Sequence, residues 1–66
     1  ILVKALDHLP PKQKSVLVLR IYEEMPFAEI AKASGISENS AKVNYHHAVK
    51  KLKKIIEEMD NERSLS

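Results

Sequence analysis

The side chains best suited to chemistry crowd between residues 39 and 50: Asn39, Ser40, Lys42, Val43, His46, His47 and Lys50. Amide, hydroxyl, imidazole and ammonium groups exchange hydrogen bonds with base-pair edges, and an apolar group such as Val43 suits a thymine methyl. Lys50, further along, suits phosphate, a contact that fixes register without reading sequence. The same set does not make a catalyst. His46 and His47 are neighbours, so on a helix they diverge by about 100° and do not readily chelate one metal ion. The zinc-protease spacing His-Glu-x-x-His is absent. His8 stands apart without a cysteine or carboxylate cluster, and one glycine leaves no phosphate-cradling loop. Ser37 has a simpler use than nucleophile, as a helix cap. No catalytic residue, metal ligand, cofactor or small-molecule substrate is expected.

Holding those side chains toward a duplex requires a helix with one face free. The run Glu29–Ser34 is short and amphipathic and ends at Gly35, the chain's one glycine. Glycine supplies the left-handed backbone that closes a helix. Ser37 can then accept the free amide hydrogens of the next helix. Helix, tight glycine turn, helix is how a helix-turn-helix reads in sequence. From Glu38 the pattern stays helical to about Met59, roughly 30 Å of rod. At 100° per residue, Ala41, Tyr45, Ala48, Leu52, Ile56 and Met59 share one face. Asn39, Val43, His46 and Lys50 lie opposite, flanked by Lys42, His47, Lys53 and Lys54.

The preceding residues must form what that rod packs against. Apolar residues at 2, 5, 6 and 9 predict a first helix over residues 1–9, closed by Pro10-Pro11. Pro11 suits the first turn of a second helix, expected from Pro11 to Glu24. Its block Val16-Leu17-Val18-Leu19 could pass for a strand, but no second strand exists to pair with it. A helix apolar around most of its circumference is a buried, central one. Pro26 starts a third helix through Ser34, with Ile30 and Ala31 inward and Phe27 as core anchor. The small Ala31 lets the last helix cross closely. The expected fold is therefore all-α: four helices with a helix-turn-helix and a long C-terminal recognition helix.

Sixty-six residues make one small domain, expected over 1–60, with 61–66 a polar, frayed tail. Without cysteine, no disulfide or thiolate metal site can staple it, and stability falls to helix packing. No apolar run approaches the ~20 residues that span a bilayer, and no signal peptide is visible; a cytoplasmic chain is expected. The start at Ile1 suggests a piece of a longer protein. Net charge is only +2, yet between Glu38 and Lys54 five lysines face one glutamate, before an acidic end. A basic block there localises attraction for a polyanion, although a solvated helix face reads the same way.

Several segments carry a family resemblance. Ala5-Leu6-Asp7-His8-Leu9-Pro10, Val16–Leu19, Glu29-Ile30-Ala31, Gly35–Lys42, Ala48 and Lys50-Lys51-Leu52 resemble region 4 of bacterial sigma factors, extracytoplasmic-function type. The likeness runs from about Leu2 to Lys54 without gaps. It implies sequence-specific binding of the promoter −35 element through the last helix, hence a role in transcription initiation. It also implies docking on the β flap of RNA polymerase and masking by an anti-sigma factor. The family's Thr-Val-Lys matches Ser40-Ala41-Lys42. The arginine that usually follows the Leu-Pro pair by four residues is Lys14, a position resembling a phosphate contact. Arginines common after the Thr-Val-Lys segment are here Asn44, His47 and Val49, and Ser34 replaces the usual apolar residue. Arginine forks onto guanine and phosphate as histidine cannot, so no base preference carries over.

Two alternatives compete. The LuxR-type output domain of response regulators shares the four-helix plan but usually has histidine where Asn44 stands. A helical protein-interaction module would also use a long final helix, and need not touch DNA.

Overall fold

Four helices follow one another in a computed structural model that describes residues 2–65; for residues 2, 3 and 61–65 it defines the helical course alone. They are α1 (Leu2–Leu6), α2 (Pro11–Ile21), α3 (Phe27–Ser34) and α4 (Glu38–Leu65), with no strand among the described residues. α4 packs against each of the other three.

The prolines set the early boundaries. α1 is shorter than the apolar spacing predicts. After Leu6 the chain tightens, with the His8 and Leu9 amides donating three residues back to Ala5 (3.2 Å) and Leu6 (3.1 Å). Leu9, which precedes Pro10, avoids helical geometry yet still turns into the core. α2 begins at Pro11 as expected, but it ends at Ile21 rather than Glu24. Glu24 takes a left-handed φ of 52°, and the Met25 amide donates back to the Leu19 carbonyl at 3.1 Å. The apolar block of α2 is buried on one side only. Val16 and Leu17 are sealed, Val18 and Leu19 are half-buried, and Ile21 is 49% exposed.

Two apolar clusters form the core. Leu6, Leu9, Leu17 and Ala48 make one, joined by Val18, Tyr45, Val49, Leu52 and Ile55. Val16, Ile30 and Ala41 make the other, joined by Leu19, Met25, Phe27, Ile36 and Tyr45. Tyr45 belongs to both and links them. Burying a side chain such as Leu17 or Ile30 is worth about 1.5–3 kcal/mol, a large share of what so small a domain can hold. Phe27 packs edge-on against Tyr45, ring centroids 5.4 Å apart, and the Arg20 guanidinium lies 4.6 Å over the Phe27 ring.

The turn before α4 is built as the sequence predicts. Gly35 adopts φ 68° and ψ 32°, and the Ile36 amide donates to the Ala31 carbonyl at 3.0 Å, closing α3. The Ser40 amide donates to Ser37 Oγ at 3.0 Å, capping α4. α4 then passes the expected end at Met59 and stays helical through Leu65. Residues 61–65 therefore continue the rod, because no glycine or proline follows Gly35 to stop it. Ser66, the last residue of the expected tail, lies outside the described residues. At about 1.5 Å per residue, α4 alone accounts for the 44 Å long dimension of a molecule 18 × 15 Å across.

A Cβ added at Gly35 meets no atom within 4 Å, so substitution there strains only the backbone. Gly35→Val is expected to cost about 1–3 kcal/mol in urea unfolding, and Gly35→Asn less, since asparagine visits this region. A Gly35→Val protein that unfolds like the parent would contradict the turn.

Candidate nucleic-acid interface

α4 divides cleanly between a packed stripe and an open one. Ala41 and Ala48 have no exposed surface, and Tyr45, Leu52, Ile55, Ile56 and Met59 are half-buried beside them. On the opposite side Asn39, Lys42, Val43, His46, His47 and Lys50 are all exposed. Val43, 43% exposed, is one of only three large apolar residues so open among the described residues. From Asn39 to Lys50 the face extends about 16 Å, enough to lie along a major groove about 12 Å wide.

Ser40 does not share that freedom. It is half-buried, and the Asn44 amide donates to its carbonyl (2.9 Å) and sits 3.4 Å from its hydroxyl. Asn44 is thereby folded back along the helix. His46, by contrast, stands edge-on to Tyr45 with centroids 5.8 Å apart, which ties an exposed imidazole to the core.

The cations are placed unequally. Lys42 lies 3.8 Å from Glu38 one turn earlier, with both side chains about half exposed (51% and 55%). Lys14 is on α2 and donates to Asp7 at 2.8 Å, bridging the α1–α2 turn. That hydrogen bond, then the charge of Lys14, holds the Asp7 carboxyl below its ordinary value. This pairing is the feature that the spacing of residues 7 and 14 alone did not reveal. No cluster of three or more His, Cys, Asp or Glu side chains is set to hold a metal ion among the described residues. Nor is any described helix long and apolar enough to cross a membrane. An open groove of about 320 Å³ lies where Pro11, Lys12, Ser15 and Leu19 of α2 face Ala33 and Ser34 of α3 and Ile36 of the turn.

The sequence is similar to those of known proteins. The family described as sigma-70, region 4 matches residues 1–52. An RNA polymerase sigma-E factor of Streptomyces antibioticus is 40% identical over 60 residues, 91% of this chain and 33% of that protein. A sigma-E factor of Streptomyces coelicolor is 42% identical over 53 residues, 80% of this chain and 30% of its own length. SigV of Bacillus subtilis, an RNA polymerase sigma factor, is 36% identical over 47 residues, 71% of this chain and 28% of its own. The chain thus spans about a third of the length of these relatives. No solved structure gives a significant match.

The Asp7–Lys14 pair makes a pH prediction. A carboxyl lowered in the folded state stabilises above its unfolded value of about 3.9, and that contribution fades as pH falls through the lower folded value. With both groups exposed the effect on stability is small. Lys14→Met is expected to raise the Asp7 titration midpoint, followed by its carboxyl carbon resonance. An unmoved midpoint would mean the pair does not form in solution.

Proposed function

The chain belongs to the sigma-70 region 4 family, and from that premise we propose that it is the promoter-recognition domain of an extracytoplasmic-function sigma factor. In this reading it binds the −35 element of double-stranded promoter DNA by laying α4 in the major groove. The observation that supports this most is the single open face of α4, with Asn39, Lys42, Val43 and His46 in its first turns. Those four sample base edges and the thymine methyl. His47 extends that face, and Lys50 and Lys14 hold phosphates. Ser40 contributes through its position at the start of the helix more than through its hydroxyl, which already faces Asn44.

The mechanism is non-covalent and uses no cofactor. Attraction by the basic block brings the domain to a duplex, and the packed stripe fixes the angle at which side chains meet bases. RNA polymerase core, through its β flap, and an anti-sigma factor complete the partners of this proposal, which places the protein in the cytoplasm. The proposal takes residues 1–60 as the working domain, with the helix beyond them not needed for reading DNA.

Selection of bound duplexes from a random pool tests the proposal; one enriched sequence is expected, and none would overturn it. With the enriched duplex, Lys42→Ala is expected to cost about 1–3 kcal/mol of binding. Lys54→Ala should cost less, by the same amount on every sequence. Equal losses would contradict the assigned face. Affinity should also fall steeply with salt, about −0.9 in log–log slope per phosphate; a flat profile would favour a protein-interaction module.

A further inference from the structure

Both ion pairs among the described residues engage lysines of the proposed DNA-binding set, and the tighter one ties α2 to the turn before it. Lys14 Nζ lies 2.8 Å from Asp7 Oδ1, the length of a full charge-assisted hydrogen bond. The side chains are 42% and 64% exposed, so both partners face water. An ion pair this open adds little to folding. It is also easily exchanged, because a phosphate oxygen offers Lys14 the same kind of bond.

We infer that Asp7 is an internal stand-in for phosphate: it holds Lys14 in the free domain and limits affinity for DNA. This rests on the DNA-binding reading above and deepens it. On binding, Lys14 leaves the carboxylate for a backbone phosphate, exchanging one charge-assisted bond for another. Asp7 is then left without its partner, and that loss offsets part of the new bond. Lys14 therefore contributes less than a free lysine in the same place. The offset is uniform across sequences, since phosphate carries no base information. Discrimination is left to α4, and the domain is kept from holding tightly to arbitrary DNA. The Lys42–Glu38 pair differs in kind. It is looser, at 3.8 Å, and lies within the helix that meets the bases.

The test is a double-mutant cycle on the 66-residue chain, with the parent, Asp7→Asn, Lys14→Ala and the double variant titrated against the enriched duplex and a scrambled one. Unfolding curves of each variant check that the fold is intact. Asp7→Asn is expected to tighten binding about two- to fivefold at low salt on both duplexes. It should also steepen the log–log salt slope by up to about 0.9. Both gains should vanish when Lys14 is alanine. Unchanged or weaker binding by Asp7→Asn overturns the inference, and so does a gain that persists without Lys14, which would reflect net charge alone. If Asp7→Asn fails to fold, Asp7→Ser takes its place in the cycle and is judged by the same outcomes. A parent that binds neither duplex nor any member of the random pool overturns the DNA-binding reading, and the inference falls with it.

Discussion

The fold depends on how closely α4 can approach the three helices beneath it. The α4 residues sealed in the two clusters are alanines, Ala41 and Ala48, neither with any exposed surface. Larger side chains there would push the helices apart, since packed interiors leave no slack for added volume. Between them Tyr45 reaches into both apolar clusters and meets the edge of Phe27. α2 lies under both contacts, Val16 at one cluster and Leu17 at the other. One stripe thus fixes both the position and the rotation of the longest element in the molecule.

Rotation is what turns packing into an open face. With Ala41, Tyr45 and Ala48 turned inward, the helical repeat forces Asn39, Val43, His46 and Lys50 outward. Their exposure follows from the crossing and needs no separate device. The glycine turn contributes direction: Gly35 closes α3, and Ser37 caps α4 at the start of its exposed face. Electrostatics then temper the surface that packing creates. Lys14 and Lys42 each have a carboxylate within 4 Å, so the cationic surface is less free than the count of lysines suggests.

Much of this was legible in the chain because it was written in local signals. Pro11, Gly35 and Ser37 act through their own backbone chemistry, and each stands where the sequence places it. The stripe of α4 was legible because helical periodicity and burial coincide over many turns. The family resemblance drew on some of these positions and also on Ala5–Pro10, Val16–Leu19 and Glu29–Ala31, and membership in the sigma-70 region 4 family sets the LuxR-type alternative aside. Helix ends were harder. α1 stops at Leu6 because Pro10 acts on the residue before it, while Leu9 still reaches the core through a tight turn. α2 stops at Ile21 because Glu24 adopts a left-handed backbone with no glycine to announce it. α4 runs on because polar residues lower helix propensity only slightly and nothing in them ends a helix. Side-chain pairing was illegible altogether. That Lys14 meets Asp7 and that Asn44 folds back on Ser40 depend on rotamers and turn geometry, which periodicity does not encode.

One stripe of α4 is committed to the protein, and in the proposed function the other is free for a duplex. Titrating the isotope-labelled domain with DNA and following side-chain resonances tests it most directly. The Asn39 amide, the Val43 methyls and the His46 imidazole are expected to move or broaden first. The Leu17, Ile30 and Ala48 methyls should stay nearly still. Shifts concentrated on Ala48 and Leu17, with Asn39 and Val43 unmoved, would show that α4 does not meet DNA with this face.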